Sequence, residues 1–160
     1  MGKYDSKEDT IKHIKLVFEY SRRIRKDLFF RELGHDKSKL EEPEKSVFDE
    51  FTPKLATSTY GSEEYKGFLK EMNVALEHHY SVNRHHPEHF ENGIKGMTLV
   101  DLIEMICDWK AATLRHHDGN ILKSIELNQE RFGYSDELKQ IIINTVNYYF
   151  VEEEQKWDED

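Results

Sequence analysis

The sequence has one cysteine, no long apolar run and no excess of basic residues, and each of these absences excludes a class of protein. With Cys107 as its single cysteine, the chain has no internal disulfide, and we expect a reducing compartment, the cytoplasm. No stretch approaches the roughly 18 apolar residues that a membrane-spanning helix requires, and residues 1–5 lead into charge rather than into a signal-peptide core. Lysine and arginine total 23 against 32 aspartates and glutamates, which makes a broad nucleic-acid-binding surface unexpected.

Length and pattern predict a single helical domain. A chain of 160 residues has the usual size of one domain, and an aromatic content of 12% argues against disorder. Apolar positions recur at helical spacing, without strand alternation, internal repeats or low-complexity segments. We therefore predict an all-α fold, with one helical domain over residues 1–150 and an acidic, solvated tail over residues 151–160.

Capping residues, glycines and prolines set the predicted helix boundaries. The first helix follows capping residues at positions 5, 6 and 9 and ends near Gly34. A short helix is expected over 45–51, ended by Pro53, with a loop over 55–62. Thr98, with Asp101 three residues on, predicts a capped helix. The remaining predicted ranges are 63 to about 84, 98 to about 117, 120–131 and 135–150.

The nine histidines and their acidic neighbours carry the chemical signal. His13 lies at the edge of the apolar arc of the first helix, where a single histidine is more often structural than a ligand. His35 and Asp36 follow Gly34, where an imidazole nitrogen and a carboxylate oxygen can turn toward one cation. On its own, a His-Asp pair in a sequence has little specificity for a metal site. His13 before it and Lys39 behind it make the pattern more specific.

Five histidines fall within residues 78–89. Such density does not suit a core, because each buried neutral imidazole needs hydrogen-bond partners. Helical projection places His79 on the apolar face and His78 to one side, so His79 is expected to point inward. The following proline disfavours helix at His86, so His85 and His86 should project from a loop. A histidine-rich surface turn is the alternative.

The helix after Thr98 is apolar around most of its circumference, which is typical of a buried helix. A narrow stripe interrupts this apolar surface, and it either faces solvent or lines a site. Chain order favours Asp108 as a further ligand. The stripe comprises Asp101, Glu104, Asp108, Ala112 and Arg115.

This order of residues resembles that of the HD-domain superfamily of metal-dependent phosphohydrolases. Residues 33–39, with Ser38 and Lys39 behind the His-Asp pair, are similar to the motif of that family, and residues 106–112 are similar to the helix that bears its last aspartate. The His-His-Pro-Glu-His string also looks like that of small phage and bacterial proteins. The likeness spans roughly residues 9–115 and implies a helical HD-like fold.

The resemblance also implies a metal centre with one or two divalent transition metals. Asp36 would bridge the two ions. Imidazole and carboxylate ligands suit Mn²⁺, Fe²⁺, Co²⁺, Ni²⁺ or Zn²⁺ without ranking them. The implied ligands of the first metal are His13, His35, Asp36 and Asp108, and those that complete the second are His79, His85 and His86.

The function expected from this resemblance is hydrolysis of a small phosphorylated substrate, a nucleotide or another phosphate ester, by a metal-activated water. Lys39 would neutralise phosphate oxygens, and Arg84 or Arg115 would clamp the group. Two alternatives stay open. A di-iron oxygenase would be coloured and would consume O₂, and a non-catalytic metal-containing binding or inhibitor protein would show no turnover.

Overall fold

The computed structural model describes residues 4–59, 61–115 and 119–151, and within these ranges the chain is helical without a β-strand. The predicted all-α class is confirmed. None of the described helices is long and apolar enough to cross a membrane. The α-helices are α1 (Lys7–Gly34), α2 (Glu44–Thr57), α3 (Glu63–Glu71), α4 (Asn73–Val82), α5 (Leu99–Thr113), α6 (Ile121–Phe132) and α7 (Asp136–Val146). Short 3-10 helices cover Lys37–Leu40, Pro87–His89 and Gly93–Gly96, and a π-helical turn covers Asn147–Val151.

The chain divides into two compact units, Met1–His35 and Asp36–Asp160. In the first unit α1 carries ion pairs one helical turn apart, such as Glu8 with Lys12 at 3.0 Å. The second unit contains all the other helices. One domain over residues 1–150 stays a prediction, and the acidic residues 152–160 lie outside the described ranges.

The core of the second unit is built by α5, α6 and α7. The ring of Trp109 stacks on Phe132 with centroids 6.4 Å apart and planes inclined by 7°. Tyr134 is buried, and its hydroxyl donates to the carbonyl of Ile125 at 2.6 Å, so the phenol is satisfied inside the core. The buried members of the core are Ile94, Met105, Ile106, Trp109, Ile121, Ile125, Tyr134, Ile142 and Val146.

Side-chain caps begin these core helices where the sequence predicts them. Thr98 accepts from the Asp101 backbone N–H, and the Asp101 side chain accepts from the Thr98 N–H in return, which completes a capping box. Ser135 caps α7 by accepting from Leu138. The predicted start of both helices is confirmed.

The prediction that a helix ends at Pro53 is wrong. Helix α2 runs through Pro53 to Thr57, so the first three residues of the predicted loop over 55–62 are helical. Proline in a helix forfeits one backbone hydrogen bond. Packing outweighs this loss, because Phe51 is buried and its ring lies 6.1 Å from that of Phe68.

The long helix predicted over residues 63–84 is two helices. The chain leaves helical geometry at Met72 (φ −78°, ψ 1°), a side chain that is 1% exposed. No glycine or proline stands at this break to predict it from the sequence. The residue at the break, Met72, is buried. Helix α4 then ends at Val82, and the side-chain amide of Asn83 donates to the last-turn carbonyl of His79 at 2.9 Å.

Candidate metal centre

Four side chains of the second unit converge on one point. Each of Asp36, His79, His85 and His86 offers a ligand atom, and these atoms all lie within 4.8 Å of one another. Asp36 Oδ1 lies 3.3 Å from His79 Nε2 and 3.4 Å from His85 Nε2. The Nε2 atoms of His79 and His86 are 2.9 Å apart. This group could hold a metal ion.

Asp36 enters the cluster through an unusual backbone conformation. Its φ of 55° and ψ of 13° lie in the left-handed region, which aspartate tolerates better than most residues. The following 3-10 helix brings Lys39 Nζ to 2.6 Å from Asp36 Oδ2. One carboxylate oxygen therefore pairs with an ammonium group, and the other faces the histidines.

The histidines reach the cluster from α4 and from the irregular segment after it. His79 is 1% exposed, whereas the side chain of His78 is 42% exposed, so the inward orientation predicted for His79 is confirmed. His85 and His86 follow the end of α4, as the proline predicts, and their ring centroids are 4.1 Å apart.

Glu44, at the start of α2, contacts both His78 and His79. It is fully buried. Its Oε2 accepts from His79 Nδ1 at 2.8 Å, and its Oε1 accepts from His78 Nδ1 at 2.7 Å. Sequence reasoning missed Glu44, because it stands in a charged connector that is typical of a solvated surface.

Two acidic residues of the stripe on α5, Asp101 and Glu104, are buried. Glu104 is 9% exposed, and its Oε1 lies 3.1 Å from Nδ1 of His85. Asp101 is fully buried and accepts two hydrogen bonds from Arg84, at 3.1 and 3.2 Å. This pairing gives Arg84 a structural partner, and its role as a phosphate clamp stays a prediction.

The environment keeps the imidazoles of His79 and His86 neutral. Burial, together with the neighbouring His85 and His79, lowers the pKa of His86 to about 3. Burial and the charge of Lys39 also lower the pKa of His79. These histidines are thus in the form that can ligate a cation at neutral pH.

Glu44 is the charged member of the pair that it forms with His79. Burial raises the pKa of the Glu44 carboxyl, but hydrogen bonds from His78, Ser38 and His79 outweigh burial and lower it. The carboxyl is therefore ionised at neutral pH and can only accept hydrogen bonds.

A cavity of about 290 Å³ adjoins the cluster and has His86 and Asp108 among its lining residues. Arg115 and Lys123 also line it, so it carries cationic groups besides the apolar rings of Trp109 and other aromatic side chains. Cavities of this size accept small organic molecules.

Of the other predicted ligands, Asp108 belongs to the second unit, and it offers a carboxylate oxygen within 4.8 Å of a ring nitrogen of His85. Asp108 is half-buried and lines the cavity. His13 is exposed on α1, and His35 is half-buried at the end of the first unit. The metal-binding roles of these three residues stay predictions.

Residues 2–148 match a family of unknown function, DUF5662, and the chain belongs to that family. No curated protein and no solved structure matches the chain.

Proposed function

We propose that this DUF5662 protein is a metal-dependent phosphohydrolase that acts on a nucleotide or another small phosphate ester. The observation that carries the proposal is the convergence of Asp36, His79, His85 and His86 beside a cavity with cationic lining. Three imidazoles and one carboxylate form a donor set for a divalent transition metal.

The surroundings of the cluster fit a cation. Two buried carboxylates stand behind these histidines: Glu44 hydrogen-bonds to Nδ1 of His79, and Glu104 Oε1 lies 3.1 Å from Nδ1 of His85. Metal-binding histidines commonly have a carboxylate partner at the ring nitrogen that does not touch the metal. The ionised Glu44 carboxylate also adds negative charge beside His79.

The bound cation would supply a Lewis acid that polarises a phosphate oxygen and lowers the pKa of a water molecule. Lys39 already neutralises one oxygen of Asp36, and we assign its ammonium group to sharing the charge of an incoming phosphate. Arg115 and Lys123 would attract the anionic group into the cavity, whose aromatic wall would contact the organic part of the ester.

The test of this proposal joins elemental analysis of the purified protein with a screen of nucleotides and generic phosphate esters across metals. We expect bound transition metal and release of phosphate that chelator abolishes. Asp36→Ala should lose both, because it removes the carboxylate shared by the histidines. Asp49→Ala is the matched control, since Asp49 is an exposed carboxylate that pairs with Lys45 at 2.5 Å.

Normal metal content in Asp36→Ala would refute the site. If the iron form consumes O₂ and releases no phosphate, the result would refute hydrolysis and support the oxygenase alternative. If the protein binds metal but shows no turnover, the result would support the alternative of a non-catalytic, metal-containing binding protein.

A further inference from the structure

We infer that Glu44 and Glu104 are positioning residues that hold His79 and His85 in the tautomer with hydrogen on Nδ1, so that both present Nε2 to a metal. This inference rests on the metal site of the proposed function and adds two residues to it. Neither carboxylate belongs to the group of ligand atoms formed by Asp36, His79, His85 and His86, so each acts through a histidine.

Three polar atoms surround Nδ1 of His79. Glu44 Oε2 is the nearest at 2.8 Å, Asn83 Nδ2 lies at 3.0 Å, and Ser38 Oγ lies at 3.3 Å. An ionised carboxylate has no hydrogen to donate. The shortest contact is therefore a hydrogen bond only if Nδ1 carries the hydrogen.

The two other neighbours direct their hydrogens elsewhere. The amide nitrogen of Asn83 has two hydrogens, and it donates to the His79 carbonyl and to Ser38 Oγ, both at 2.9 Å. The Ser38 hydroxyl donates to Glu44 Oε2 at 3.0 Å. No hydrogen of these groups is left for Nδ1, so they do not oppose the tautomer that Glu44 imposes.

The imposed tautomer places the lone pair of His79 on Nε2. That atom faces Asp36 Oδ1 at 3.3 Å and His86 Nε2 at 2.9 Å. A neutral imidazole has one hydrogen and one lone pair on its two nitrogens. The opposite tautomer would point an N–H group at the cluster and would block coordination by His79.

The same arrangement occurs a second time, built from a different helix. Glu104 on α5 contacts Nδ1 of His85 at 3.1 Å, and Nε2 of His85 lies 3.4 Å from Asp36 Oδ1. His85 is 1% exposed, so water does not compete with Glu104 for its ring. Two helices thus supply equivalent carboxylates to two histidines that meet at one aspartate.

The direct experiment is NMR of the chelator-treated full chain labelled with ¹⁵N-histidine, with signals assigned by comparison with His79→Ala and His85→Ala. We expect both rings to carry hydrogen on Nδ1. In Glu44→Gln the carboxamide presents an N–H₂ group in place of one carboxylate oxygen, and we expect the His79 signal to change or to divide between tautomers. Hydrogen on Nε2 of both rings in the unsubstituted protein would overturn the inference.

The second measurement is Zn²⁺ affinity, determined by competition with a chromophoric chelator. Loss of such a carboxylate partner typically weakens metal binding about 10–100-fold, and we expect this range for Glu44→Gln and for Glu104→Gln. Glu42→Gln is the matched control, because Glu42 is exposed and accepts only from Ser46 among its described contacts. Its affinity should equal that of the unsubstituted protein.

The outcomes separate the two proposals. If the unsubstituted protein does not bind Zn²⁺ or another divalent transition metal, the metal site itself fails and the inference with it. If it binds while both glutamine variants bind equally well, only the positioning role fails. If Glu44→Gln does not fold, Glu104→Gln decides, since unchanged affinity there overturns the inference.

Discussion

At the scale of single residues, the adjacent histidines His78 and His79 differ in burial and in their contact with the cluster, although they are neighbours on one helix. His78 and His79 both hydrogen-bond to Glu44, yet only His79 is buried and reaches the cluster around Asp36. Helical projection predicts which of the two points inward. It does not predict their shared partner, because Glu44 lies 34 and 35 positions away in the chain.

We predict that His79→Ala lowers metal content far more than His78→Ala. His79 offers Nε2 to the cluster, whereas His78 is not among the grouped ligand atoms and donates to Glu44 from a partly exposed position. Elemental analysis of both purified variants is the measurement. Equal losses would show that His78 acts at the metal or that His79 does not.

At the scale of helices, local sequence signals predict a helix boundary correctly where the boundary depends on neighbouring residues alone. They fail where tertiary packing decides the boundary. The capping box of α5 and the serine cap of α7 lie where the sequence predicts them, since a cap involves residues three apart. Pro53 and Met72 show the converse. A proline does not end α2, and an ordinary methionine interrupts the helix predicted over residues 63–84.

Thr98→Ala should destabilise the protein by about 1 kcal/mol, the usual cost of removing an N-cap side chain. Thr98 Oγ accepts from the Asp101 N–H at 3.3 Å and donates to Asp101 Oδ2 at 2.7 Å. Urea unfolding measures the change. Thr10→Ala is the control, because Thr10 is exposed on α1 and alanine favours helix. A loss no larger than that of Thr10→Ala would contradict the structural role of the capping box.

At the scale of the whole molecule, the second unit gathers ionisable groups in places that water does not reach. Glu44 and Asp101 are fully buried, and His79 and His85 are 1% exposed. Each of these groups needs a partner inside the protein, because an unpaired buried charge or imidazole costs free energy. Stability should therefore depend on pH and on metal.

We predict that the metal-free protein loses stability as the pH falls from about 6.5 toward 3. The pKa of His86 is about 3 in the folded protein, against a reference value of 6.5. Between these values the unfolded chain binds more protons than the folded one, so the free energy of unfolding falls with falling pH. The lowered pKa of His79 acts in the same direction.

The check is urea unfolding of chelator-treated protein at several pH values within this window, compared with His86→Gln. The variant removes one titrating group, so its stability should change less steeply with pH. Identical slopes would show that His86 titrates alike in the folded and unfolded chain.

The sequence by itself determined the helical class, the capped starts of α5 and α7 and the inward orientation of His79, because each depends on periodicity or on residues within one helical turn. The resemblance to the HD-domain superfamily also implied that Asp36 shares a site with His79, His85 and His86. Only the tertiary structure decided that Glu44 and Glu104 stand behind His79 and His85, and that the acidic stripe of α5 is partly buried. The physical reason is that burial and pairing of a carboxylate depend on donors from distant parts of the chain, and no local pattern of charge distinguishes such a residue from a solvated one.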